Sequence, residues 1–145
     1  MSTPTTNAPV PTTDPASAAT AKVAHRLQAL CNEGKHHEAM QELYADNARH
    51  VEAMAFPGTP YGLVTEGKPA LLKLSENFGK TVTVHSSHTG TPLVNGEHFV
   101  CEMSMDCTHN EGPMAGQRAQ MTETCLYTVK NGKITEAKFF YPGCA

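Results

Sequence analysis

Two stretches of this sequence place acid–base side chains two residues apart in chain that reads as extended. In Ala48-Arg49-His50-Val51-Glu52, side chains alternate between faces, so His50 and Glu52 share a face with Ala48. In the run from Met121 to Tyr127, Glu123 shares a face with Met121, Cys125 and Tyr127. A carboxyl group among apolar and sulfur-bearing neighbours is driven toward its neutral form, and a second carboxylate nearby drives it further. Such a group suits general acid or base work near neutral pH. Glu52 and Glu123, with His50 as a proton shuttle, therefore form the candidate catalytic set. The competing structural reading is that Arg49, Arg118, a tyrosine hydroxyl or the backbone satisfies each carboxylate.

Around these residues the same alternation supplies an apolar wall. Phe139 and Tyr141 share a face on the last strand, and Cys101, Met103 and Met105 share one on an earlier strand. With Met121 and Cys125 they are the candidate ligand-binding residues, although ordinary core packing accounts for the same pattern. Tyr141 adds a hydroxyl that would orient a bound carbonyl or hydroxyl group. A metal site is not expected. His85 and His88 are three apart, which puts their rings on opposite faces of a regular strand, and neither HExxH nor C-x-x-C occurs. G-x-S-x-G, phosphate-binding and dinucleotide motifs are absent, so no cofactor is expected either.

The elements that must position these residues are legible. Asn131-Gly132 between β-favouring runs marks a hairpin over residues 120–141. Before it, Glu97 to Thr108 alternates cleanly, and Thr81–Thr89 and Asn47–Ala53 read as strands. Helices are expected from Ser17, as N-cap, to Asn32, from His36 to Tyr44, and from Pro69 to a stop at Gly79. The Pro- and Gly-rich loop AFPGTPYGLVTEG follows the strand that carries Glu52 and is placed to lid a site. Helices gathered on one side of a mainly antiparallel sheet make an α+β fold.

The chain has 145 residues, one domain's worth, divided into a disordered leader over 1–16 and a domain over 17–145. A net charge of −3 without a Lys/Arg run argues against nucleic acid, and no apolar stretch is long enough to span a membrane. Five cysteines without paired spacing read as reduced thiols, and with no secretory signal in view a cytoplasmic setting is expected.

The order of these elements, with ELYADNARHVEA, the EGKPALL helix start and TCLYTVKNGKITEAKFFY, resembles the nuclear transport factor 2-like superfamily, and within it the SnoaL-like proteins. The resemblance covers about residues 20–142 and implies a cone of three helices packed on a strongly curved sheet. It also implies a small apolar, polyketide- or steroid-like ligand and a homodimer. Aligned on Tyr44-Ala45-Asp46, Glu52 falls where ketosteroid isomerases carry their catalytic base. Leu27 and Cys125 fall where those enzymes carry oxyanion-hole donors, and neither supplies a strong one. Two functions follow as expectations: a SnoaL-like pocket protein, and an acid–base enzyme of isomerase, cyclase, dehydratase or hydrolase type that uses Glu52 as base.

Overall fold

The hairpin turn at Asn131-Gly132 needs two residues with positive φ, and both have it, at 52° and 74°. Around it, the computed structural model describes residues 14–142. The elements in chain order are α1 (Pro15–Asn32), α2 (His36–Leu43), β1 (Tyr44–Val51), β2 (Val64–Glu66), α3 (Lys68–Thr81), β3 (Val82–Thr89), β4 (Leu93–Asn95), β5 (His98–His109), β6 (Arg118–Lys130) and β7 (Lys133–Phe140). The sheet order is β2-β1-β7-β6-β5-β3, with β4 paired to β5. All pairings are antiparallel except β1 with β7. The helices cover one face of this open, curved sheet, which is the α+β architecture expected.

Most of the expected elements form, and several bounds move for physical reasons. The N-cap of α1 is Asp14 rather than Ser17: its side chain accepts from the Ser17 N–H at 2.7 Å, and Pro15 follows at the first turn. The hydroxyl of Ser17 instead accepts from the Gly96 N–H, pinning α1 to the turn before β5. The expected leader lies outside the described residues over 1–13, and its last residues cap and open α1. Helix α2 stops at Leu43, and the next strand starts at once with Tyr44, three residues earlier than expected. Gly79 does not end α3, which runs on to Thr81. Two three-residue strands, β2 and β4, lie inside stretches that read as loop, too short to show a period.

Alternation predicts the inner face well. Phe99, Cys101, Cys125, Tyr127, Val129, Ile134 and Ala137 are all at most 3% exposed, and they pack against Leu27, Leu30 and Leu71 from the helices. The exception is β3. Its register shifts between Val84 and Ser86, so one extra residue re-phases the strand. His85 therefore bonds Thr108 of the outer face at 2.7 Å, and His88 sits opposite Ser104 of that same face. The three-residue spacing does not separate the two rings as a regular strand would. His36 and His37 at the start of α2 are half-buried, and His37 meets the Ser75 hydroxyl of α3 at 3.0 Å. Among the described residues, no helix is long and apolar enough to cross a membrane.

Leu71 is fully buried in the layer between α3 and the sheet. Leu71→Ala is expected to cost about 2–5 kcal/mol of stability through lost burial and a residual cavity, measured as a fall in the urea midpoint.

Candidate functional site

Strand β1 brings the first half of the site. Tyr44, Ala48 and His50 point inward, whereas Arg49 points outward to Glu66 at 3.4 Å and Glu136 at 3.1 Å. The Tyr44 hydroxyl meets Nε2 of His50 at 2.6 Å, and the His50 ring stands edge-on to Phe139 at 4.8 Å. Glu52 comes directly after β1, and its N–H bonds the Leu63 carbonyl at 2.8 Å, extending the β1–β2 pairing by one step. The hydroxyl of Tyr141 donates to Oε2 of Glu52 at 3.1 Å. Strand β6 brings the second half. Glu123 points inward beside Cys125, whose thiol lies 3.7 Å from Oε1.

Residues 53–63 cover the Glu52 end. The loop is held by its own bonds: the Phe56 N–H to the Tyr61 carbonyl at 3.0 Å, and the Thr59 hydroxyl to the Phe56 carbonyl at 2.6 Å. The Phe56 ring stacks on Tyr141 at 5.9 Å, while the Tyr61 hydroxyl reaches the Leu74 carbonyl of α3 at 3.3 Å. The loop expected to lid a site therefore lies over the carboxylate at the end of β1.

The electrostatics follow from partial burial without a counter-charge, since Glu52 and Glu123 are both half-buried. Burial drives the Glu123 carboxyl up to about 7, and the charge of Glu52 adds to it. Glu52 is also raised by burial, and the Tyr141 hydrogen bond partly offsets the shift. Burial drives His50 down to about 4, so its ring is neutral at ordinary pH. Tyr141 rises to about 12, through burial first and then the Glu52 charge. Tyr44 is raised well above its ordinary value by burial and feels both carboxylates. The cations are engaged elsewhere: Arg118 grips Asp106 on the outer face at 2.9 Å, and Arg49 is on the opposite side of β1. Of the expected satisfying groups, only the tyrosine hydroxyl is used.

The expected wall divides into three groups. Phe139, Cys101, Cys125 and Leu27 are buried in the core around the carboxylates. Cys101 and Cys125 face each other across the β5–β6 ladder. Met103 is partly buried against this core. Met105 and Met121 pair with each other further along the ladder, and Met121 is 42% exposed, away from the site. Sequence reasoning left out Tyr44, Phe56 and Tyr61. The available signal was composition: the chain has four tyrosines, and Glu52 acts on three of them, Tyr44, Tyr61 and Tyr141. Two surface depressions, about 250 Å³ on β3–β5–β6 and about 390 Å³ between β2 and α3, lie apart from the carboxylates. Among the described residues, no group of three or more His, Cys, Asp or Glu is placed to hold a metal ion.

The SnoaL-like domain model matches residues 18–141. The chain belongs to the SnoaL-like family. A Mesorhizobium loti protein that goes under the name of a SnoaL-like polyketide cyclase is 36% identical, with 83% of this chain and 97% of that one covered and a TM-score of 0.75. More distant structures share the fold. A nuclear transport factor 2-like protein of Burkholderia xenovorans is 12% identical over 87% of this chain and 91% of that one, with a TM-score of 0.67. A nuclear transport factor 2-like protein of unknown function, also from Mesorhizobium loti, is 19% identical over 90% and 96%, with a TM-score of 0.62. Among curated proteins none matches this chain. For this SnoaL-like domain, as for others, the fold leaves the activity to the side chains of the site.

Those side chains predict a stability signature. The Glu123 carboxyl binds its proton more tightly when folded, at about 7 against an ordinary 4.5, so its contribution to stability falls as pH rises through that window. His50 has the opposite sign: its folded value near 4 against an ordinary 6.5 loses stability as pH falls. The two slopes oppose each other between about pH 4.5 and 6.5. Glu123→Gln removes one of them. The variant is expected to match the parent near pH 4 and to exceed it at pH 8 by at most about 3 kcal/mol, read from urea melts across pH.

Proposed function

We propose that this protein binds a small, largely apolar molecule in the interior beneath residues 53–63, with a polar group of the ligand directed at Glu52 and Glu123. One observation carries this reading: two inward-facing carboxylates share an aromatic and thiol-lined interior, and no cation raises or lowers either of them. Interiors of this kind are costly to keep unless something uses them. The wall of Tyr44, Phe139, Tyr141 and Cys125 suits a polyketide- or steroid-like body, and the carboxylates suit its hydroxyl or carbonyl group.

A second reading, proton transfer, is favoured by the unequal states of the pair. Tyr141 donates to Glu52, which favours its charged form and partly offsets the upward push of burial, while burial and the Glu52 charge raise Glu123 to about 7. Glu52 would take a proton from carbon beside a ligand carbonyl as Glu123 hands its proton to the carbonyl oxygen. Return of the first proton to a different carbon, and of the second to Glu123, would complete an isomerisation with both groups restored. A protonated Glu123 would supply the donor that Leu27 and Cys125 lack at the expected oxyanion positions.

The test is a thermal-shift screen of polycyclic ketones and phenols, followed by turnover assays on each compound that stabilises the protein. Glu52→Gln is expected to retain binding and to lose about 10²–10⁴-fold in turnover. Full turnover in that variant would remove Glu52 as the base, and no stabilising compound would remove the binding reading.

The homodimer is proposed on the outer face of the sheet, which the helices leave uncovered. A row of apolar side chains crosses it through Leu93, Val100 and Leu126, with Phe140 beside the row; Leu93 is 73% and Phe140 53% exposed. The same face carries Arg49 and Lys138 among Glu66 and Glu136, so two copies related by a twofold axis can set opposite charges against each other. Light scattering at micromolar concentration is expected to give the dimer mass, and Leu126→Asp the monomer mass.

A further inference from the structure

Three features tie the loop over residues 53–63 to the carboxylate pair. Glu52 is both one of the two carboxylates and the residue at which the loop leaves β1, since its N–H closes the loop base on the Leu63 carbonyl at 2.8 Å. Tyr141 joins the same carboxylate to the loop, donating to Glu52 at 3.1 Å while its ring stacks on Phe56 at 5.9 Å. Beyond the Glu52–Leu63 base, the loop's own bonds are one further backbone pairing and a short turn around Thr59; the Phe56 stack and the Tyr61 hydroxyl on the Leu74 carbonyl at 3.3 Å tie it to the rest of the fold, and several of its residues are exposed. A loop of that kind opens at low cost.

We propose that residues 53–63 form a lid over the Glu52–Glu123 pair that is closed while the pair holds one proton and opens when both carboxylates are charged. With one proton, the interior carries one negative charge, stabilised by the Tyr141 hydroxyl. With none, two anions face each other in an interior without a cation. Glu52 relieves the repulsion by swinging toward water, because it sits on the hinge whereas Glu123 is fixed mid-strand in β6. That movement breaks the Tyr141 bond and takes Phe56 off the Tyr141 ring. The lid deepens the reading of this pair as a ligand-facing site and rests on it: it would admit ligand on the alkaline side and seal it from water once the pair regains a proton.

The groups facing the pair come from every element around it. Tyr44 on β1, Cys101 on β5, Cys125 on β6, Tyr141 after β7 and Tyr61 on the loop interact with the carboxylates directly, and behind them His50 on β1 bonds Tyr44 while Tyr127 on β6 and Cys31 on α1 adjoin Tyr44 and Cys101. Burial keeps the phenols and the Cys31 and Cys125 thiols protonated through neutral pH, and His50 neutral. Beside the carboxylates, only the Cys101 thiol is shifted toward its charged form, by its hydrogen bond with Cys125, and the Glu123→Gln variant tells the two apart. If opening returns Glu123 from about 7 to its ordinary 4.5, the closing equilibrium falls by at most about 300-fold across that range.

The chain contains no tryptophan, so Phe56→Trp installs a single reporter in the stack. Its emission, read from pH 5 to 8.5 without ligand, is expected to shift from buried to exposed with a midpoint near 7, together with easier quenching by acrylamide. Hydrogen exchange of the Glu52 and Phe56 amides in the unaltered protein, corrected for intrinsic rates, is expected to lose protection over the same interval. Adding Glu123→Gln should leave the lid closed at every pH. Protection unchanged from pH 5 to 8.5, or the same transition in the Glu123→Gln background, would overturn the proposal. Because no ligand is present, a missing transition removes the lid alone, while an intact transition without any binding compound removes only the reading of the pair as a ligand site.

Discussion

Two half-buried carboxylates facing one interior are driven toward their neutral forms unless a cation or water lies between them, and among the described residues no cation reaches either. Much else at the site follows from that constraint. Glu123 holds its proton to about 7, Glu52 takes the Tyr141 hydroxyl, and Tyr44 is kept protonated by burial beside both. The arginines within reach along the chain are turned outward, where each neutralises an acid of the outer face. Within the sheet, Arg49 and Arg118 pair with acids of the outer face, whereas Glu52 and Glu123 face inward. A buried ion pair would be inert, whereas an uncompensated pair is a store of proton affinity.

The sheet makes this separation possible. Long pairing of β5 with β6 supplies a continuous inner face, and register shifts in β1, β3 and at the β6–β7 pairing bend it. Curvature gives the inner face a concave side, which the helices fill with Leu27, Leu30 and Leu71 at one end. At the other end, closure comes from the β1–β2 loop rather than from a helix. An end closed by a loop is the part of the molecule that can open without disturbing the core.

Membership of the SnoaL-like family sets the scaffold but not the chemistry. Leu27 and Cys125, which the resemblance aligns with the oxyanion-hole donors of ketosteroid isomerases, are both buried in the core. Donors have instead accumulated elsewhere in the same interior, as tyrosine hydroxyls at 44 and 141 and as the neutral carboxyl of Glu123.

The sequence by itself determined the fold class, the main helices and strands, and the inward face of each long strand. Those features depend on period, capping and turn chemistry, which are local. It also placed Glu52 with His50 and Glu123 with Cys125, because two-residue spacing on a regular strand is local too. Only the tertiary structure decided whether the carboxylates meet a cation, since Arg49 and Arg118 find their partners on other strands. Three-residue strands such as β2 and β4 acquire their conformation from the neighbours they pair with. The outward turn of His85 came from a bulge set by the β5 register, and Met121 was exposed because the inner face extends past the cover of the helices. Phe56 and Tyr61 reached the site through loop closure, which depends on contacts with Tyr141 and α3 far along the chain. Local periodicity says which way a side chain points; what it meets there is settled by packing between segments distant in sequence.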